Sequence, residues 1–216
     1  MFERITRREG ADLVIAWMAI SISFAIIFLR SIGRADIFTA LLFLGVSLLT
    51  VGIGFVLHEM AHKFVAIRYG FWAEFRKDNI MLVVAVALAA LVGVVFAAPG
   101  ATVIYDINGR GISREQNGWI SASGPIVNLL LCIPFAGLLV SGGAGAASLT
   151  GSIITIIGLV GLQVNAMIAA FNMLPVSVLD GRKVADWNIA VFLILIVTAF
   201  AVLYVSLKPE ILFNLL

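Results

Sequence analysis

Long apolar segments dominate the pattern of this chain. Six of them are each about as long as the roughly 20 residues that a helix needs to cross a bilayer. They cover approximately residues 11–29, 37–62, 80–98, 119–140, 152–174 and 188–206, and short polar or glycine-rich links separate them. The second segment keeps its helical character past its apolar end, to about Arg68. The pattern predicts an all-α polytopic membrane bundle. We expect a single membrane-embedded domain over residues 1–216, with its core at about 50–185 and flanking helices at 11–29 and 188–206.

The link after the third segment differs from the others. β-Branched and aromatic residues flank the pair Asn108-Gly109, and such a pair is the strongest short-range signal for a hairpin. We therefore expect a small membrane-associated β-hairpin over residues 101–115, with an irregular loop as the alternative. The edge of this hairpin is a place where an extended segment of a substrate can add as a further strand.

Composition and charge narrow the class of protein. The chain has 216 residues, of which 62% are hydrophobic and 12% are charged, and this balance is typical of an integral membrane protein that lies in a lipid bilayer. The net charge is +2 and the basic residues are scattered, so a nucleic-acid partner is not expected. If all six segments cross, basic residues fall on both sides and the positive-inside bias is weak. The clusters at the N-terminus and between Lys63 and Lys77 favour the cytoplasm for those parts of the chain.

The sequence His58-Glu59-Met60-Ala61-His62 carries the candidate chemistry. Histidines four residues apart lie one turn apart on the same face of a helix, so their rings can converge on one metal ion. A catalytic zinc ion takes three protein ligands and leaves one position open for water, and Glu59 is close enough to accept a proton from that water. The alternative is a chance match. The chain has two histidines and both lie in this motif, and an ionisable Glu59 at the end of an apolar helix indicates function.

The third ligand must be acidic, because no further histidine exists and Cys132 lies alone in an apolar run. Asp180 differs from the other acidic residues, since it follows a predicted helix break at Pro175 and an apolar stretch. From the local sequence alone, an ordinary interfacial aspartate paired with Arg182 or Lys183 is an equally good interpretation.

Three motifs together resemble the site-2 protease family of intramembrane zinc metalloproteases, peptidase family M50. They are the His-Glu-x-x-His motif, Gly124-Pro125-Ile126-Val127-Asn128, and Asn172-x-x-Pro175 followed by Leu179-Asp180-Gly181. They occur in the order of the family and cover about residues 54–183, whereas the first and last helices match only as hydrophobic segments. The resemblance implies that His58, His62 and Asp180 bind one catalytic Zn²⁺ ion and that Glu59 is the catalytic base.

The resemblance also implies that Asn128 faces the active site as a catalytic residue, where its amide is able to steady the substrate or the developing oxyanion. A hydrogen bond between helices is the alternative role for Asn128.

His58 and His62 lie near the end of the second segment, and Asp180 lies beyond the end of the fifth. One metal ion can bind all three only if they lie on the same side of the membrane, which requires an even number of crossings between them. One of the three intervening segments therefore does not cross. We expect this to be residues 80–98, which end before Pro99-Gly100 and lead into the predicted hairpin. In the resembled family this region contains a sheet that dips into the membrane, and the apolar stretch in the present chain is longer. We predict that residues 80–98 re-enter and emerge on the side from which they entered.

The expected function is hydrolysis of peptide bonds within or near transmembrane segments of membrane-protein substrates. In the resembled family the flanking helices are thought to gate the access of substrate. The expected location is a prokaryotic plasma membrane, crossed several times, with the active site opening toward the cytoplasm. The alternative is a zinc-binding membrane protein without proteolytic activity, either a transporter or a pseudo-protease.

Overall fold

The computed structural model describes residues 5–33, 36–94, 100–107, 109–145, 148–176, 178–208 and 210–211. Its elements in chain order are α1 (Arg7–Ile32), α2 (Ile37–Arg68), β1 (Trp72–Lys77), α3 (Asn79–Leu91), β2 (Gly100–Tyr105), α4 (Arg114–Ala144), α5 (Leu149–Asn172), α6 (Asp180–Trp187) and α7 (Ile189–Ser206). Within the described residues, five helices, α1, α2, α4, α5 and α7, are long and apolar enough to cross a membrane. The predicted fold class, an all-α polytopic bundle with a small β-structure, is confirmed.

Polar residues at the helix starts fix several boundaries that hydropathy alone leaves open. Helix α4 begins earlier than its apolar run, because Ser113 caps its N-terminus and forms a capping box with Gln116. Asp36 caps α2 by accepting a hydrogen bond from the Thr39 backbone N–H. At the other end of α5, the helix stops at Asn172, three residues before Pro175, as the sequence predicts.

The two strands pair antiparallel, with a register that runs from Trp72 opposite Tyr105 to Lys77 opposite Gly100. The predicted hairpin over residues 101–115 is correct in its first strand and wrong in its second, because the partner of β2 is β1 and not residues 110–115. The reason is burial, because Ala73 and Phe75 of β1 are fully buried against the helices. Residues 109–113 are exposed and lead directly into α4 at Arg114, and Asn108 lies outside the described residues.

Helix α3 does not cross the bundle. Its 13 residues rise about 20 Å, which is short of the roughly 30 Å hydrocarbon core of a bilayer. The helix packs along α1, and the guanidinium of Arg30 near the end of α1 donates to the Ala90 carbonyl. The chain leaves the sheet after Lys77 and is back beside it at Gly100. This path agrees with the predicted re-entry of residues 80–98, of which residues 95–99 lie outside the described part.

Among the described elements, only α4 and α5 therefore cross the bundle between the end of α2 and the start of α6. We call the end of the bundle that carries the sheet the sheet end, and the opposite end the far end. The start of α1, the end of α2, the start of α4 and the end of α5 lie at the sheet end, as the contacts Glu9 to Lys63 and His62 to Ile120 indicate. Helix α6, which falls in the link between the fifth and sixth apolar segments, lies there too and packs on α4. The even number of crossings brings the sequence motifs to one place.

Candidate metal centre

His58 and His62 lie on α2 with their rings buried, and their Nε2 atoms are 3.0 Å apart. Asp180, the first residue of α6, is also buried. Its Oδ2 lies 3.5 Å from Nε2 of His58 and 3.2 Å from Nε2 of His62. The structure thus brings the three predicted ligands together.

The spacing of these ligand atoms fits a metal ion with tetrahedral coordination. When ligand atoms lie at the 2.0–2.1 Å typical of zinc–histidine and zinc–carboxylate bonds, tetrahedral geometry puts them about 3.3–3.4 Å apart, and the observed separations are 3.0, 3.2 and 3.5 Å. Among the described residues, this is the group of His, Cys, Asp and Glu side chains whose ligand atoms converge closely enough to hold a metal ion.

The second nitrogen of each histidine is held by a hydrogen bond. Nδ1 of His62 lies 2.7 Å from the Ile120 carbonyl oxygen, which only accepts, so Nδ1 carries the proton. Nδ1 of His58 lies 2.6 Å from Oδ1 of Asn128, and the same reasoning applies to an amide oxygen. Both Nε2 atoms are then unprotonated and their lone pairs face the metal position. This is the usual way in which outer hydrogen bonds orient metal-binding histidines.

Asn128 lies behind His58 and is fully buried, so its position differs from the expected one beside the substrate. Its amide nitrogen donates to the Gly54 carbonyl at 3.1 Å and to Oδ1 of Asn165 at 2.9 Å. Asn165 in turn donates to the Gly161 carbonyl. With both amide protons engaged, Asn128 has no donor left for an oxyanion. The alternative interpretation from the sequence, a hydrogen bond between helices, matches this geometry.

Glu59 lines a cleft beside the three candidate ligands and is mostly buried. The hydroxyl of Thr102 in β2 donates to its Oε2 at 2.9 Å. Other residues of the cleft include Gly100 and Ile104 of β2, Asn172 and Lys183. Sequence reasoning missed Thr102 and the contribution of β2, since nothing in the local sequence indicates which strand faces the histidines.

Gly124 allows α4 to lie close to the two histidines. A Cβ atom at this position would lie 2.5 Å from Nε2 of His62 and 2.6 Å from Nε2 of His58. The absence of a side chain therefore keeps α4 close to the ligands without filling the metal position. Gly181 allows a similar approach beside Asp180, because a Cβ there would lie 2.1 Å from the Met173 carbonyl oxygen.

Comparison with known proteins supports the same assignment. The chain is 36% identical over 185 residues to a protein of Methanocaldococcus jannaschii that is named "putative zinc metalloprotease". The match covers 86% of this chain and 87% of that protein. The chain belongs to this zinc metalloprotease family. No family model matches the chain, and no solved structure matches it significantly. Membership in the zinc metalloprotease family and the buried arrangement of His58, His62 and Asp180 together identify Zn²⁺ as the metal.

Proposed function

We propose that this protein is an intramembrane zinc metalloprotease of the site-2 protease type, which hydrolyses peptide bonds within or near transmembrane segments of membrane-protein substrates. One observation carries the proposal: the three converging ligands and Glu59 share one cleft inside a bundle of membrane-crossing helices.

Each residue of the cleft has a distinct role in the proposed reaction. His58, His62 and Asp180 hold the zinc ion, which when bound polarises a peptide carbonyl and makes water more acidic. Glu59 accepts the proton of the attacking water and delivers it to the leaving amine. Asn128 keeps the His58 ring in the tautomer that binds metal, because its oxygen accepts the Nδ1 proton.

The position of the cleft along α2 indicates where a substrate is cut. Residues 37–57 of α2 carry no charge, and these 21 residues rise about 31 Å, which matches the hydrocarbon core. His58 follows directly, at one limit of this stretch. The apolar helix α7 reaches further toward the sheet end, because Ala199 in its middle shares a cluster with Leu129, the neighbour of Asn128. The metal centre therefore lies in the half of the core nearer the sheet end. Trp119 and Trp187, whose rings are 4.9 Å apart, lie at the same end, where aromatic residues mark the membrane interface. We therefore expect cleavage in the half of a transmembrane segment nearer the sheet end, or beside that end.

The substrate must be unwound at the cut, because a helix hides its peptide bonds in its own hydrogen bonds. Strand β2 lies along the cleft and pairs with β1 on one edge, so its second edge is suited to bind an extended substrate segment by strand addition. Neighbouring residues of a strand point their N–H groups to opposite edges, so prolines placed in turn at Val103 and Ile104 test both edges. The proline that removes an N–H from the edge of β2 facing away from β1 should abolish cleavage and leave the zinc content unchanged. Cleavage at the wild-type rate by both variants would exclude strand addition.

The distribution of basic residues supports a cleft that opens toward the cytoplasm of a prokaryotic cell. With α3 re-entrant, the sheet end of the bundle carries most of the positive charge in the described part of the chain. Its basic residues are Arg7, Arg8, Lys63, Arg68, Arg76, Lys77, Arg110, Arg114, Arg182 and Lys183. Arg30 lies at the far end, and Lys208 follows the end of α7, where Ser206 meets Gln163 in the middle of α5. Cytoplasmic ends of membrane helices carry such an excess of Lys and Arg.

The decisive experiment compares the wild type with Glu59→Gln in liposomes that contain a mixture of membrane proteins. New peptide ends are mapped by mass spectrometry, and zinc is measured in the purified protein. The variant should keep zinc and lose cleavage, because Gln cannot accept the proton. Glu115→Gln, at an exposed position in the first turn of α4, is the matched control and should cleave like the wild type.

The map of cleavage sites also tests the substrate class. Cuts should cluster in or beside transmembrane segments, and a map dominated by soluble regions would contradict intramembrane action. A wild-type protein that binds zinc and cleaves nothing would favour the alternative of a non-proteolytic zinc-binding membrane protein. Cleavage by Glu59→Gln at the wild-type rate would exclude Glu59 as the base.

A further inference from the structure

A buried ion pair fastens strand β1 to two helices beside the metal centre. Nζ of Lys63, the residue after His62, lies 2.5 Å from Oε2 of Glu9, and both side chains are at most 1% exposed. Oε1 of Glu9 accepts a hydrogen bond from the Phe75 backbone N–H at 3.2 Å. Lys63 also lies over the ring of Trp72, 5.5 Å from its centroid. Two points of β1 are thus tied to α1 and α2, so the sheet cannot slide along the cleft.

Because β1 is anchored, the strand that pairs with it, β2, is held in place as well. Phe75 is the cross-strand partner of Thr102. It is fully buried, so its side chain has little room to move. Its ring packs edge to face against Phe55 of α2, with centroids 5.5 Å apart. The strands also approach closely at Gly100, where a Cβ atom would lie 2.3 Å from the Arg76 carbonyl oxygen. The position of Thr102 relative to α2 is therefore fixed.

Thr102 uses this fixed position to hold Glu59. Its hydroxyl lies 2.9 Å from Oε2 of Glu59 and 3.4 Å from the carbonyl oxygen of the same residue. Glutamate has several rotatable bonds and loses considerable freedom when it is ordered. A hydroxyl that donates to an ionised carboxylate forms a charge-assisted hydrogen bond, which is stronger than a neutral one. With Oε2 held, the plane of the carboxylate and the direction of Oε1 are set.

We propose that Thr102 is a positioning residue for Glu59, and that the sheet anchored by Glu9 and Lys63 serves to hold its hydroxyl there. The inference rests on the proposed function, in which Glu59 is the base. A base contributes fully only when it lies in the correct geometry before the reaction, and a misplacement of about 1 Å can cost about 100-fold in rate. Nothing in this role requires Thr102 to touch the substrate or the metal.

The test compares Thr102→Val, which removes the hydroxyl and keeps the shape, with Thr102→Ser, which keeps the hydroxyl. The probe is a fluorescence-quenched peptide that carries one transmembrane cleavage site mapped in the liposome experiment. For Thr102→Val we expect kcat to fall about 10- to 100-fold, with KM, zinc content and the midpoint of thermal unfolding close to those of the wild type. Thr102→Ser should recover most of kcat. Thr155→Val, another half-buried threonine that donates to a carbonyl away from the cleft, is the control.

The outcomes separate the inference from the proposed function. Equal kcat for Thr102→Val and Thr155→Val would overturn the role of Thr102, as would a Thr102→Ser variant as slow as Thr102→Val. Loss of zinc from folded Thr102→Val would also overturn it, because the hydroxyl would then act on the metal centre. If Thr102→Val does not fold, Thr102→Ala against Thr102→Ser gives the same comparison. Glu59→Gln, assayed on the same peptide, must be inactive; if it is active, the proposed function itself fails.

Discussion

At the scale of single residues, the metal centre depends on hydrogen bonds that end in backbone carbonyl groups. The Gly161 carbonyl oxygen only accepts, so the side-chain atom of Asn165 that faces it is the amide nitrogen, and the amide oxygen of Asn165 faces Asn128. Asn128 must then direct its own oxygen at Nδ1 of His58. Each assignment follows from the previous one, because a carbonyl oxygen cannot donate. The tautomer of one zinc ligand is thus determined by the backbone of α5.

Asn128→Ala should weaken zinc binding about 10- to 100-fold, the usual effect of removing a partner that orients a metal-binding histidine. The reason is that the His58 ring loses the acceptor that keeps the proton on Nδ1. Zinc affinity is measured by competition with a chromogenic chelator in detergent. Asn79→Ala, at an exposed position at the start of α3, is the control. A variant that binds zinc normally but cleaves slowly would instead return Asn128 to a direct role in catalysis.

Gly124→Ala should abolish zinc binding, because the added Cβ would lie 2.5–2.6 Å from ring atoms of His58 and His62. Gly137→Ala on the same helix is a matched control, since nothing lies within 4 Å of the Cβ added there. Alanine is a better helix former than glycine, so neither change should weaken α4 itself. Zinc content after purification distinguishes the two variants. Full zinc occupancy in Gly124→Ala would show that the two histidines can withdraw from α4.

At the scale of elements, the two-stranded sheet is held in place mainly by its attachment to α1 and α2. Removing one partner of a buried ion pair typically costs about 3–5 kcal/mol, so Glu9→Gln should destabilise the protein by about that amount. In Glu9→Gln the buried Lys63 loses its carboxylate partner. The exposed pair between Arg182 and Asp186 is the comparison, since Asp186→Asn should cost about 0–1 kcal/mol. The measurement is unfolding in detergent, and equal effects of the two variants would contradict the anchoring role.

The elements also show which features local sequence can predict. The crossing helices follow from apolar runs, and the parity of crossings follows from the need to join His62 to Asp180. The partner of β2 does not follow, because Phe75 and Thr102 pair across the whole of α3, whereas the Asn108-Gly109 signal describes only its own neighbours. The direction of the Asn128 side chain depends on the packing of α2, α4 and α5 together. Sequence therefore predicts the ligands and the base, but not the residues that orient them.

At the scale of the whole molecule, the re-entrant path of α3 changes the interpretation of charge. If residues 80–98 crossed, the basic residues before β1 and those after β2 would lie on opposite sides of the membrane. With α3 returning to the sheet, the start of α1, the sheet and α6 share one side. The bias that looked weak in the sequence then becomes a strong one, and it predicts that this side is cytoplasmic.

Single cysteines test path and orientation together, in a Cys132→Ala background that removes the native, buried thiol. Asn79→Cys and Tyr105→Cys flank α3 on either side, and Thr150→Cys lies at the far end, in the first turn of α5; all three positions are exposed. A maleimide that cannot cross membranes, added to intact cells, should label Thr150→Cys alone, whereas broken membranes should expose all three. Labelling of Asn79→Cys and Tyr105→Cys from opposite sides would mean that α3 crosses, which would separate Asp180 from the histidines. Labelling of both from outside, with Thr150→Cys protected, would keep the re-entrant path and place the cleft on the external face.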